Sequence, residues 1–97
     1  MGTLNIVIRK RALNTIRNVA EWYRSEVGSV AAQHFVDDVY DTISTLSNFP
    51  LVGVLDERYS TLKVKYYSFL LHPKYRIIYR FTKRTLYVVA IRATMMK

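Results

Sequence analysis

Apolar positions first fall into a pattern at Leu4 to Ile8, a stretch rich in branched residues in which Leu4, Ile6 and Ile8 alternate with Asn5 and Val7 and predict a short strand. The period then changes. Leu13, Ile16, Ala20, Tyr23 and Val27 recur at three- and four-residue spacing, which marks one apolar face of a helix. Gly28 is a stop signal, and Ser29 suits the N-cap of a second helix. Ala32, Phe35, Val39, Thr42, Ile43 and Leu46 repeat the helical period. Two helices joined by so few residues fold back as an antiparallel hairpin. Pro50 and Gly53 close the helical region.

From Thr61 the period becomes two. Leu62, Val64 and Tyr66 are expected on one side, and Lys63, Lys65 and Tyr67 on the other. His72-Pro73-Lys74 predicts a turn. Tyr75, Ile77, Tyr79 and Phe81 then alternate with Arg76, Ile78 and Arg80. Thr82 to Arg84 predicts a second turn, and Leu86 to Ile91 a last apolar strand ahead of Arg92. Three strands joined by tight turns make an antiparallel meander. The expected class is α+β: an N-terminal strand, an antiparallel helical hairpin and a three-stranded antiparallel meander, with the helices on one face of the sheet. The last strand is apolar on both sides, so its parity is open. So is the neighbour of the first strand. A chain of 97 residues is expected to form one domain, 1–97.

Composition narrows the chemistry. The absence of cysteine excludes disulfides, zinc-thiolate sites and a thiol nucleophile. No apolar run approaches the roughly 20 residues that span a bilayer, and Met1-Gly2-Thr3-Leu4 lacks signal-peptide anatomy. A cytoplasmic protein without membrane partners is expected. His34 and the cluster Asp37, Asp38 and Asp41 are expected on solvated helix surface, and His72 on the surface of a turn. No histidine–carboxylate set has metal-ligand spacing, so no metal and no cofactor is expected. Of Trp22 and Tyr23, one is expected to pack inward and the other to offer a partner surface at the hairpin edge.

Charge supplies the functional clue. Fifteen basic residues against seven acidic ones give +8. Residues 61–97 carry nine basic residues and no acid. Such a balance favours polyanions or acidic proteins. The uncovered sheet face is expected to carry Lys63, Lys65, Arg76 and Arg80, with Arg92 joining them if the last strand presents it there. These cations suit a phosphate backbone, with Tyr67 available to stack on a base. Cleavage of RNA by a 2′-hydroxyl needs a proton acceptor, a proton donor and cations for the developing phosphorane charge. Arg76, Arg80 and Arg92 suit the last role, and a lysine, tyrosine or histidine the first two. A plain solvated face, or a docking surface for an acidic partner, is the alternative.

Several stretches carry a resemblance. Arg11-Ala12-Leu13 opens the first helix and Ala31-Ala32-Gln33-His34-Phe35 the second. Ile43-Ser44-Thr45-Leu46-Ser47-Asn48-Phe49-Pro50-Leu51-Val52-Gly53 comes next, then His72-Pro73-Lys74-Tyr75-Arg76-Ile77-Ile78-Tyr79 and Leu86-Tyr87-Val88-Val89-Ala90-Ile91. In this order they resemble the RelE/ParE superfamily of bacterial type II toxins. The resemblance implies a cognate antitoxin, often acidic or amphipathic, and growth inhibition. RelE-like members cleave messenger RNA on the ribosome, and this is the first activity expected. ParE-like members inhibit DNA gyrase without being nucleases, and a toxin fold reduced to binding its antitoxin is the third option. On the RelE-like reading, Arg76, Arg80, Arg92, Lys63 and Lys65 are the catalytic candidates. Arg58, Lys63, Lys65, Tyr67, Lys74 and Arg76 are then the candidates for nucleic-acid contact. RelE-like chains often finish this strand with an Arg, His or Tyr inside a short polar motif; here the C-terminus offers Arg92 and Lys97 and departs from the pattern in lacking the aromatic or imidazole.

Overall fold

A computed structural model describes residues 3–72 and 74–94. Strand β1 (Asn5–Ile8) leads directly into helix α1 (Lys10–Glu26). Helix α2 (Ser29–Asn48) returns against it, and a short 3-10 turn (Pro50–Val52) comes after. The remaining strands are β2 (Val54–Leu55), β3 (Tyr67–His72), β4 (Tyr75–Phe81) and β5 (Thr85–Ala93). One mixed sheet has the order β1-β5-β4-β3-β2. The β3–β4–β5 meander is antiparallel, and β1 lies parallel to β5 at the sheet edge. The expected class and element order therefore hold, and the neighbour of the first strand is the last one. No helix among the described residues is long and apolar enough to cross a membrane.

The helices cover one face of the sheet. Ala12 and Ile16 of α1 and Phe35, Val39, Ile43 and Leu46 of α2 pack on Ile77 and Tyr79 of β4 and on Leu86, Val88 and Ile91 of β5. Each large aliphatic side chain buried there contributes about 1.5–3 kcal/mol relative to exposure. Gly28 joins the helices at φ +143°, a conformation almost closed to other residues, so its lack of Cβ is what permits the tight corner. The Leu…Pro-x-x-Gly ending of α2 also has a partner. The buried hydroxyl of Tyr79 donates to Pro50 O at 2.6 Å and accepts from Gly53 N–H at 3.1 Å. A Cβ on Gly53 would run into that hydroxyl and sit 2.8 Å from Ser68 O.

Two expectations are corrected. The strand read from Thr61 begins only at Tyr67, and residues 61–66 are loop. Thr61 Oγ1 accepts from the N–H groups of Lys63 and Val64, and Thr61 N–H donates to Val64 O. These bonds bend the chain where the alternating pattern reads as extended. Asp56 N–H donates to Tyr66 O at 2.8 Å, which closes residues 56–66 into a loop with adjoining ends. Leu62 is consequently fully exposed. The second correction concerns Tyr67. It faces the helices, stacked on Tyr79 at 5.8 Å and tilted on Phe81 at 5.4 Å, and does not share a side with the basic residues. In the predicted first turn, His72 ends β3 and Lys74 lies in a turn, while Pro73 falls outside the described residues, as does Lys97.

Candidate functional site

The uncovered sheet face is built by alternation. With Ile77 and Tyr79 committed to the helices, β4 must present Arg76, Ile78 and Arg80 to the other side. Arg76 pairs with Leu70 of β3, and Ile78 with Ser68, which puts those two residues on the same face.

Strand β5 decides the position of Arg92. Tyr79 pairs with Val88 but Ile78 pairs with Ala90, so Val89 is an extra residue in the ladder. Before this bulge Leu86 and Val88 face the helices; after it Ile91 does. Unbroken alternation would have sent Arg92 into the helix layer along with Leu86 and Val88. The bulge shifts the parity and sets Arg92 directly opposite Arg76 on the open face. Like charges placed directly opposite on neighbouring strands are destabilising.

Arg76 and Arg92 share an open groove of about 830 Å³ with Arg58 from the 56–66 loop. Ser68, Leu70, Ile78 and Leu55 supply its floor and apolar wall, and Asp56 and Glu57 lie at its rim. Arg76 Nε donates to Ser68 Oγ at 3.2 Å, which fixes the guanidinium. The Arg92 guanidinium lies 5.7 Å from the centre of the Tyr59 ring. Asp56 Oδ1 accepts from the N–H groups of Arg58 and Tyr59 at 3.0 and 3.2 Å, so it shapes the turn that delivers Arg58. Among the described residues, no carboxylate comes within ion-pair distance of Arg58, Arg76, Arg80 or Arg92; the ion pair found is Arg24–Glu21 on α1. Three guanidiniums without carboxylate partners among the described residues, around an apolar floor, form a receptor for an anionic group on a partly apolar ligand.

The sequence-derived candidates separate. Arg58, Arg76 and Arg92 converge on the groove. Arg80 is on the same face but outside it, with its guanidinium 4.4 Å from the centre of the Tyr87 ring. Lys63 and Lys65 are exposed in the loop and do not line the groove. Tyr67 is on the helix side. Lys74 borders a different hollow of about 280 Å³, with Trp22, Tyr23 and Tyr75. There Tyr23 packs on Phe35 at 5.6 Å, while Trp22 is 52% exposed at the hairpin edge, which meets the expected division between the two. His34, Asp37, Asp38 and Asp41 are exposed on α2.

The sequence pattern does not single out Ser68, Asp56 and Tyr59 at the groove, nor Arg9 and Tyr87 beside Arg80. Arg9 directly follows β1, and its guanidinium lies 5.2 Å from the same Tyr87 ring. A signal for it exists: a cation placed where an edge strand meets a helix lies beside the sheet. For Ser68 no signal exists, because its role depends on strand register.

The fold has counterparts among known proteins. A family model described as the ParE toxin of the type II toxin–antitoxin system, parDE, matches residues 6–97. A chain from the chromosomal ParDE toxin–antitoxin system of P. aeruginosa superposes with a TM-score of 0.74 at 13% identity, covering 96% of this chain and 98% of that one. The YoeB dimer from Staphylococcus aureus gives 0.64 at 15% identity, covering 94% and 97%. A YoeB/ParE toxin from Agrobacterium tumefaciens gives 0.61 at 15% identity, covering 95% and 100%. At such identities the structural likeness is one of fold. No curated protein sequence matches this chain significantly.

Proposed function

The chain belongs to the ParE toxin family of type II toxin–antitoxin systems, and from that premise we propose that it arrests growth by gripping DNA gyrase through the Arg58–Arg76–Arg92 groove, without cutting RNA. One observation carries this reading. The groove gathers arginines, whose guanidiniums hold charge but do not exchange protons, while Lys63 and Lys65, the lysines suited to proton transfer, stand in the exposed loop outside it. Such a site binds an acidic, partly apolar surface more readily than it performs acid–base chemistry. Its antitoxin competes for the toxin, with carboxylates that would meet the same arginines.

Cleavage of ribosome-bound messenger RNA is the second reading. It is favoured by the opposed pair Arg76 and Arg92, which suits a phosphodiester, and it requires Glu57 or a loop lysine to move the proton.

Induced expression without antitoxin separates the readings. The gyrase reading expects growth arrest, relaxed plasmid DNA and intact transcripts. Arrest with new transcript 5′ ends inside codons and normal supercoiling would overturn it in favour of cleavage. Unaffected growth would overturn both and leave a fold that only binds its antitoxin.

A further inference from the structure

The open face carries a second cation cluster that the groove does not include. Arg80 of β4 and Arg9, at the junction of β1 and α1, both rest on the ring of Tyr87, at 4.4 and 5.2 Å from its centre. Tyr87 pairs with Arg80 across the β4–β5 ladder and with Val7 across β5–β1, so the cluster joins three strands. Two guanidiniums on one aromatic ring repel one another. Among the described residues neither has a carboxylate within ion-pair distance, and the sequence offers no acid anywhere from residue 61 onward. Ring contact holds the guanidiniums in place while leaving N–H edges free for a ligand.

The chemistry favours phosphate over carboxylate. A single carboxylate is satisfied by one guanidinium through two parallel bonds. Arg80 reaches the Tyr87 ring from β4 on one side, and Arg9 reaches it from the end of β1 on the other, so the pair offers separate N–H edges, which suit a ligand with several anionic oxygens. The spacing points the same way. Arg80 and Arg76 are four residues apart on one face of β4, which is about 13 Å at strand rise. Between them lie Ile78 and its partner Ala90, both almost fully buried. Anion sites repeated along a face suit a ligand with anions repeated along its backbone.

We propose that Arg9, Arg80 and Tyr87 form a phosphodiester-binding site, through which this protein contacts single-stranded nucleic acid. The site is separate from the groove, so its failure and the failure of the gyrase reading are distinguishable.

The test is fluorescence anisotropy with a short fluorescein-labelled single-stranded DNA of mixed sequence, over a series of salt concentrations. The control variant R17Q/R24Q removes the same charge from α1. Loss of two phosphate contacts in R9Q/R80Q should weaken binding about tenfold and flatten the plot of log affinity against log salt by about 1.4, whereas the control stays within about twofold of the parent. Equal loss in both double variants would overturn the proposal, since the effect would then be net charge alone. R80K keeps the charge and removes only the fork, which keeps the test decisive should R9Q/R80Q not fold. It should weaken binding about threefold, and an unchanged affinity would count against the site. Displacement of the DNA by polyglutamate of equal charge would also overturn the proposal and assign the cluster to an acidic protein.

Discussion

The Tyr79 hydroxyl joins a core strand to the turn that ends α2, and both of its bonds are to backbone groups. Tyr79→Phe would leave Pro50 C=O and Gly53 N–H without that partner at a part-buried site. The expected loss is about 1–3 kcal/mol, read as a lower urea midpoint with an unchanged slope. Burial chiefly pushes this hydroxyl above its usual 10.0; the Gly53 N–H draws it back and Tyr67 adds to the rise. Burial, reinforced by Tyr23, does the same to Tyr75. The folded chain therefore keeps protons that the unfolded chain has already released. Their stabilisation is complete below about pH 10 and is lost as pH rises through the raised folded values. Urea midpoints should fall above pH 10, and less steeply in Tyr79→Phe; equal slopes in the two proteins would contradict this. The sides taken by Arg76 and Arg80 are legible in the sequence, because β4 alternates cleanly. That of Arg92 is not, because β5 is apolar on both sides and the bulge at Val89 changes its parity. Lys63 and Lys65 depart from expectation for a related reason: alternation identifies a strand only where the backbone has a partner to pair with, and the Thr61 turn removes it. Tyr67 does pair, but parity counted from the lysines is not carried across that turn, and its register opposite Tyr79 sets it on the helix side.

Helix α1 begins against its own dipole. Arg9, Lys10 and Arg11 occupy its first positions, and no acid lies in the first turn. Arg11→Glu should raise stability by about 0.3–1 kcal/mol at low salt, and less at high salt. An unchanged or lowered Tm at low salt would show that the dipole does not act there. At the other end of the same helix, Gly28 has open space where a Cβ would stand, so Gly28→Ala meets no clash. Its cost is backbone strain alone, about 1–3 kcal/mol. A Tm equal to the parent's would mean that the corner relaxes to a conformation open to alanine. Both helices and their inward faces are legible, because long amphipathic periods override local ambiguity. The two-residue strand β2 is not, since pairing and not pattern defines it. The parallel docking of β1 on β5 joins the two ends of the sequence and leaves no local trace.

Over the whole molecule, charge and architecture divide along the same line. The helical region is net acidic, whereas residues 61–97 carry nine cations and no acid. The helices shield one face of the sheet, so cations collect on the other and create a one-sided field that draws in acidic partners. A basic face is legible from the sequence. Its division into a groove and a separate ring-held cluster is not, because Arg58 and Arg9 arrive from elements distant in sequence. A supercoiling assay with purified gyrase shows whether the groove is the working site. The parent protein should inhibit supercoiling, while R76A/R92A should lose at least about tenfold in potency, as expected when two charge-assisted contacts go, and keep a cooperative thermal transition. A folded R76A/R92A that inhibits gyrase as well as the parent would mean that the groove is not where gyrase is gripped.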